Sequence, residues 1–148
     1  MSLEATLEHK RVVNRLMGEV IKELINRANS HDDSKLEPVE AEAFDKQSPK
    51  LKNETFNSPE YKELLEKELK TALDHHYARN RHHPEHFENG IQDMDLIDLL
   101  ELMCDWKASS LRQNNGNLLK SIDSNQERFK FSKELCMIFK NTAMFFEG

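Results

Sequence analysis

Residues 94–113, MDLIDLLELMCDWKASSLRQ, contain neither glycine nor proline and repeat apolar side chains every three or four positions. This spacing is the period of one helix face, so it predicts a helix from Asp93 or Met94 to Gln113. The expected buried face consists of Ile97, Leu100, Cys104, Ala108 and Leu111.

The same periodicity predicts further helices on both sides of this stretch. We expect helices over residues 3–28, 38–46, 58–77 and 124–146, joined by polar connections at residues 47–57, 79–92 and 114–117. In the first helix the apolar stripe is Val13, Leu16, Val20 and Leu24, and His9 lies four residues before it. His9 is therefore expected to point inward.

The composition favours an all-α fold, because 148 residues contain only four Gly and four Pro and no sustained period-2 alternation. We expect one domain over residues 1–148, a bundle of five or six helices. The net charge of -6 at pH 7 argues against extended nucleic-acid binding. With no apolar run of membrane-spanning length and no signal peptide, a cytoplasmic location is expected. Cys104 and Cys136 are expected to be buried free thiols.

The histidines are clustered, which ordinary surface histidines are not. His31-Asp32 gives one imidazole and one carboxylate from a single turn, and five of the seven histidines lie between residues 75 and 86. Nitrogen and carboxylate ligands that converge from rigid helices suit a divalent metal ion. We expect His9, His31, Asp32 and Asp105 to converge, although Asp105 shares its helix face with Asp98 and Glu101 and would also suit a solvated acid.

The order His, His-Asp, paired His, then Asp resembles the HD superfamily of metal-dependent phosphohydrolases. His31-Asp32-Asp33-Ser34-Lys35 is similar to the HDxGK form of that family's motif, with Ser34 in place of Gly. The resemblance implies an HD-domain-like bundle, metal ligation by His9, His31, Asp32 and Asp105, and a Lys35 that contacts a substrate phosphate.

Nearly the whole chain also resembles a group of short, uncharacterised bacterial and bacteriophage proteins. The shared features are the HDxSK start, the His82-His83-Pro84-Glu85-His86 segment and a Cys-Asp-Trp-Lys-Ala helix. This second resemblance implies no activity.

A second metal ion would be held by histidines of the 75–86 patch, with Asp32 as the bridge. His76, His82 and His83 are the favoured ligands, and His75 and His86 remain alternatives. Glu85 is a candidate for orienting an imidazole. The expected substrate contacts are Lys35, Arg79, Arg81 and His86.

The expected activity is hydrolysis of a small phosphorylated substrate, most readily a nucleotide. The expected cofactor is one or two divalent transition-metal ions per chain (Mn, Fe, Co or Zn), because a histidine-rich set disfavours Mg. Asp32 and Lys35 are the expected catalytic residues. Two alternatives are a di-iron HD-type oxygenase and a non-catalytic metal-containing module that binds a nucleotide or a partner protein. A homodimer is compatible with the acidic helical exterior.

Overall fold

Seven α-helices make up most of the chain in a computed structural model, which describes residues 2–55 and 58–147. Within these residues there is no β-strand, so the predicted all-α, single-domain fold is confirmed. The number of helices is seven, not five or six. Their bounds are α1 Leu3–Ser30, α2 Pro38–Asn53, α3 Pro59–Glu68, α4 Lys70–Arg79, α5 Leu96–Leu111, α6 Leu118–Phe129 and α7 Lys133–Ala143.

Several helices begin at a side chain that accepts a hydrogen bond from a first-turn amide. Ser58 accepts from the amide of Tyr61, and Asp95 accepts from the amide of Asp98 while the Asp98 side chain accepts in return from Asp95. Such caps satisfy amides that lack a partner within the helix. The other capping side chains are Ser2 of α1, Asn117 of α6 and Ser132 of α7.

Two of the predicted helices are divided. The expected 58–77 helix stops at Leu69, a fully buried residue with φ −113° and ψ −1°, and restarts as α4. The expected 124–146 helix is interrupted by Lys130, whose left-handed φ of 55° ends α6. One distorted residue at Leu69 and three non-helical residues, 130–132, are enough to divide these helices, and apolar periodicity on both sides does not reveal them.

The connection predicted for residues 47–57 is partly wrong, because α2 continues to Asn53 and contains Pro49 within it. Residues 56 and 57 of that prediction lie outside the described residues. The irregular segment predicted for residues 79–92 is confirmed: after α4 ends at Arg79, it contains only the short 3-10 turns Pro84–His86 and the start of Gly90–Asp93. Two more 3-10 turns are Asp33–Leu36 and Met144–Phe146.

The apolar core lies between α5, α6 and α7. It contains Leu102, Met103, Trp106, Leu118, Ile122, Phe131, Cys136, Phe139 and Ala143. The face of α5 that it buries is not the predicted one: Cys104 is exposed, and Leu111 is 72 % exposed. Both cysteines are free, as predicted, and Cys136 is buried.

A second buried region is polar. It forms where the end of α1, the following 3-10 turn, α2, α4 and the start of α5 meet. Its buried side chains are Ser34, Glu40, His76, Asn80, His82 and Asp98.

Most of α1 lies outside both regions. Residues 3–22 are exposed throughout, and of the predicted stripe only Leu24 is half-buried, while Leu16 remains 52 % exposed. The predicted burial of Val13, Leu16 and Val20 is therefore wrong. Within the described residues, no helix combines the length and apolar character needed to cross a bilayer.

Candidate metal centre

The His31-Asp32 pair lies in the turn that follows α1. His31 is extended, and Asp32 adopts a left-handed conformation with φ 58° and ψ 18° before the 3-10 turn Asp33–Leu36 begins. This conformation is uncommon outside glycine, and aspartate is one of the residues that tolerates it best. The reversal directs the side chains of both residues toward the polar interior.

Arg27, in the last turn of α1, fixes that turn against α5. Its guanidinium donates to Asp98 Oδ1 at 2.9 Å and to Glu101 Oε2 at 3.0 Å. Asp98 is fully buried and also accepts two hydrogen bonds from Arg81. The end of α1 and the start of α5 are thus joined by charge-assisted hydrogen bonds.

Three imidazoles are held through their Nδ1 atoms by two carboxylates. Nδ1 of His31 donates to Glu101 Oε1 at 2.9 Å, and Nδ1 of His82 lies 3.2 Å from the same oxygen. Nδ1 of His76 donates to Glu40 Oε2 at 2.9 Å. A metal-binding histidine typically donates its remaining ring N–H to a carboxylate in this way, which fixes the orientation of the ring.

The other ring nitrogen of each of these histidines is directed toward Asp32. Nε2 of His76 and Nε2 of His82 each lie 3.4 Å from Asp32 Oδ1, and Nε2 of His31 lies 3.5 Å from Asp32 Oδ2. Nε2 of His83 lies 2.9 Å from Nε2 of His76. Four imidazole nitrogens therefore surround one carboxylate.

Two atoms at this convergence are buried without a hydrogen-bond partner among the described residues: Asp32 Oδ1 and His82 Nε2. Burying an oxygen or nitrogen without a partner costs roughly 1–3 kcal/mol. The interior around Asp32 thus holds unused donor atoms that a bound cation would satisfy.

Two of the histidines are kept neutral, which is the form that binds metal ions. Burial, together with the charges of His82 and His76, lowers the pKa of His83 to about 3. Burial also lowers the pKa of His76.

The pKa of His31 is shifted in the opposite direction. Its hydrogen bonds to Asp105 and Glu101 and the charge of Asp32 raise its pKa to about 10. Burial raises the pKa of Asp105, but the hydrogen bond to His31 and the charge of His82 outweigh it and lower that pKa. In the metal-free protein a protonated His31 therefore offsets part of the carboxylate charge, and a cation would displace its proton.

The structure brings together six of the seven predicted metal ligands. Atoms that lie within 4.8 Å of one another form two groups that could each hold a cation, and Asp32 belongs to both. One group is Asp32, His76, His82 and His83, and the other is His31, Asp32 and Asp105. Glu101 joins His31 and His82 in a third group, through the contacts described above.

The prediction that His9 is the seventh metal ligand is wrong. His9 is exposed on α1, 22 residues before His31, which directly follows the last residue of that helix. At a rise of 1.5 Å per residue the two histidines are roughly 33 Å apart. His9 therefore belongs to the exposed part of α1 and not to the centre.

Lys35 lies at the centre, as predicted, and its Nζ donates to Asp32 Oδ2 at 2.6 Å. Arg79 instead pairs with Glu37 on the surface. Arg81 is engaged with the buried carboxylate of Asp98 and stacks over the Phe87 ring. Both side chains therefore have ion-pair partners within the protein, and their substrate contacts stay predictions.

His86 and the other two candidates of the 75–86 patch have structural partners too. Nδ1 of His86 donates to the carbonyl of Tyr77 at 2.8 Å, in the last turn of α4, and its substrate contact stays a prediction. His75 donates to Glu40 Oε1 at 2.6 Å, and Glu85 pairs with Arg128 rather than with an imidazole. His75 therefore helps to hold Glu40, which in turn orients His76.

The sequence did not identify Glu40, Arg27 and Glu101 as parts of the site. Glu101 precedes Asp105 by one helical turn, and acids at positions 98, 101 and 105 on an otherwise apolar helix were the available signal. Glu40 stands in the first turn of α2 with no pattern around it, although its side chain is fully buried.

A cavity of about 340 Å³ adjoins the centre on the side of α6. His83 and Asp105 line it at one side, together with Tyr77 and Trp106. Two residues of the convergent set are therefore open to a small molecule bound in this cavity.

Comparison with known proteins gives one match. A family model described as a family of unknown function (DUF5662) matches residues 1–145. No curated protein and no solved structure matches the chain.

Proposed function

We propose that this chain, which belongs to this family of unknown function, is a metal-dependent phosphohydrolase of HD type. It would act on a small phosphorylated molecule, and the expected substrate is a nucleotide. One observation carries the proposal. Asp32 Oδ1 is buried without a hydrogen bond, and imidazole nitrogens held from behind by Glu40 and Glu101 surround it.

The donor set fits a transition-metal ion. Imidazole nitrogens and carboxylate oxygens suit Mn, Fe, Co or Zn, whereas Mg prefers oxygen ligands and retains its waters. Two ions would share the carboxylate of Asp32. Their remaining ligands would be His31 and Asp105 for one ion, and His76, His82 and His83 for the other.

The support for phosphoryl chemistry is the charge around Asp32. A divalent cation in such a site polarises a phosphoryl oxygen and lowers the pKa of bound water. Lys35 now neutralises Asp32 at 2.6 Å. When Asp32 binds a cation instead, the Lys35 ammonium is available to a phosphate oxygen, because it is 44 % exposed and its stem begins in the same turn.

Each remaining residue of the centre has a definite task in this proposal. Glu40 and Glu101 accept hydrogen bonds from Nδ1 of His76 and His31 and so direct the Nε2 atoms toward Asp32, where a cation would displace the Nε2 proton of His31. Arg27 holds Glu101 in position. Asp105 also lines the cavity, so the ion that it would help to hold would lie next to a small molecule bound there.

The first measurement is metal content per chain by elemental mass spectrometry, on protein without a histidine tag, after exposure to Mn, Fe, Co or Zn. We expect one or two ions per chain and hydrolysis of p-nitrophenyl phosphate or of nucleotides. Asp32→Asn keeps the shape of the side chain and tolerates the left-handed backbone, yet it should abolish both metal binding and activity. Asp33→Asn is the matched control, because Asp33 is exposed and adjacent.

His31→Ala should also abolish metal binding while leaving helical content by circular dichroism nearly unchanged. If both variants keep full metal occupancy, the assignment of the centre is wrong. Iron with visible absorption and no phosphatase activity would favour the oxygenase alternative. A single tightly held ion with ligand binding but no turnover would favour the binding module.

A further inference from the structure

The cavity beside the centre has a second wall, formed by α6. Most of its lining side chains are polar and lie on one side of the helix or at its N-cap, whereas Phe129 at the end of the helix is apolar. The polar ones are Asn117, Lys120, Ser121, Ser124, Asn125 and Arg128. This wall faces the side lined by His83 and Asp105. A molecule held at the centre through a phosphate would therefore extend its remaining atoms toward α6.

The orientation of α6 is fixed by the neighbouring face of the helix. Leu118 and Ile122 are buried in the apolar core, at 5 % and 0 % exposure. Around the helix the polar positions lie next to these two buried positions, so packing of α6 on the core places the polar side chains beside the core, in the wall of the cavity. The polar wall is thus a consequence of packing and not of a freely rotating surface helix.

The loop before α6 closes one part of the cavity. Gly116 lies against the backbone of Ser110, so closely that a Cβ atom at position 116 would lie 1.7 Å from the Ser110 carbonyl oxygen. Only glycine permits this approach. The contact holds Asn115 and Asn117, which also line the cavity, against the end of α5.

Two cations line the cavity, and they differ in their partners. Arg128 pairs with Glu85 at 2.6 Å. Lys120 forms no ion pair with any carboxylate in residues 2–55 and 58–147, although the chain as a whole has a net charge of -6. Lys120 is exposed at the wall of the cavity, and an ammonium there without a carboxylate partner is suited to an anionic group of a ligand.

We propose that this cavity binds the non-reacting part of the substrate, and that the substrate is a small phosphate ester with a polar body and a second anionic group held by Lys120. This inference rests on the proposed function, because the centre must hold the first phosphate. Ser121, Ser124 and Asn125 supply hydrogen bonds to hydroxyl or amide groups of the body.

The size of the cavity sets the scale of this substrate. About 340 Å³ is at the lower end of the range of small-molecule sites, roughly 300–1,000 Å³. It suits a phosphorylated sugar or acid, or part of a nucleotide, rather than a polymer. The lining combines these polar side chains with apolar ones, among them Leu102, Trp106 and Phe129.

The proposal is tested by calorimetry, which measures how matched pairs of phosphate compounds bind to the Mn²⁺-loaded protein. In each pair, one member carries an additional anionic group: glycerol 3-phosphate against 3-phosphoglycerate, and adenosine 5′-monophosphate against adenosine 3′,5′-bisphosphate. Inorganic phosphate serves as the probe of the centre alone. In the wild type, the second anionic group should tighten binding about tenfold in at least one pair, as a charge-assisted contact of about 1.4 kcal/mol would.

Lys120→Met should remove that tenfold difference and leave inorganic phosphate binding and metal content unchanged. Lys133→Met is the matched control, since Lys133 is exposed at the start of α7 and does not line the cavity. Ser124→Leu, which fills the cavity, should weaken binding of both members of a responsive pair.

The outcomes separate the two proposals. Equal affinity within both pairs, or a tenfold difference that survives Lys120→Met, overturns the assignment of the cavity while inorganic phosphate binding upholds the centre. If the Mn²⁺-loaded protein binds inorganic phosphate no better than the metal-free protein, the proposed function itself fails. A loss of the difference in Lys133→Met as well would show that charge alone, and not the cavity, is responsible.

Discussion

The interior between α5, α6 and α7 is apolar, whereas the interior between the end of α1, α2, α4 and the start of α5 is filled with polar side chains. In the first, Trp106, Phe131 and Phe139 pack with ring centroids 5.2 to 6.5 Å apart. In the second, Glu40, His82 and Asp98 are all buried to 1 % exposure or less. Both belong to the same small domain, and α5 contributes to both.

The two interiors differ in what they leave unsatisfied. The buried side chains of the apolar core carry no charge, and apart from the Cys136 thiol, the Met103 thioether and the Trp106 indole N–H they consist of carbon and hydrogen alone. In the polar interior, Arg27 and Arg81 donate charge-assisted hydrogen bonds to Asp98 and Glu101. Asp32 Oδ1 and His82 Nε2, in contrast, have no hydrogen-bond partner among the described residues. The difference teaches that the side chains of the apolar core satisfy one another, whereas the polar interior keeps two donor or acceptor atoms that could bind a cation.

The largest effect should come from the apolar core. Phe139→Ala removes a ring that is 2 % exposed and touches Trp106 and Phe131, so it should lower the free energy of unfolding by about 4 kcal/mol. Urea unfolding gives this value. Metal content of the folded variant should stay as in the wild type. A variant that folds but loses its metal would show that the two interiors are not independent.

A somewhat smaller effect is expected from the ion pairs that support the polar interior. Asp98→Asn leaves Arg27 and Arg81 opposite a neutral amide and should cost about 3 kcal/mol at neutral pH. Asp123→Asn is the control, since that carboxylate pairs with Lys140 at 59 % exposure and should change little.

The pH dependence of this effect has a definite sign. Burial raises the pKa of Asp98, but hydrogen bonds from Arg81, from the Asp95 amide and from Arg27 outweigh it, so the net pKa is lowered. A carboxyl with a lowered pKa stabilises the fold above its unfolded value, about 3.9, and loses that contribution as the pH falls through the folded value. The difference between wild type and Asp98→Asn should therefore be full at pH 7 and shrink below about pH 4. A constant difference from pH 7 to pH 2 would contradict this account.

Glu101→Gln should act on metal affinity more than on stability. The amide preserves the shape but weakens the hydrogen bonds that orient His31 and His82. Loss of such a supporting carboxylate lowers metal affinity by about 10- to 100-fold, which competition with a chelator would measure. Glu127→Gln is a suitable control because Glu127 lies on α6, 86 % exposed. Unchanged affinity would mean that Glu101 anchors α1 and does not position the imidazoles.

Much of the apolar fold could be predicted from sequence, because helix formation follows local periodicity. The starts of α1 and α2 and the break at residues 114–117 are within a few residues of the prediction. What could not be predicted was which apolar face becomes buried. In α5, Leu102, Met103 and Trp106 face the core, although Ile97, Leu100 and Cys104 have equally good spacing. The choice depends on neighbouring helices, which periodicity does not contain.

The candidate site, like the fold, could be predicted from the sequence only in part. His31, Asp32, His76, His82, His83 and Asp105 were identifiable because metal-ligating residue types cluster in the chain. Glu40 and Glu101 were not, because an acid that orients a histidine looks the same in sequence as any helical glutamate. Their roles follow only from distances such as the 2.9 Å between His76 and Glu40.

The smallest effect should come from His9, which lies outside both interiors. His9 is exposed on the part of α1 that precedes Glu23, and this part contacts neither the apolar core nor the centre. His9→Ala should therefore change the free energy of unfolding by less than about 0.5 kcal/mol and leave metal content unchanged. His82→Ala, with 1 % exposure, is the comparison that should lose metal. Because His9 is roughly 33 Å from His31 along one helix, a loss of metal in His9→Ala would require α1 to reach the centre of another copy of the chain.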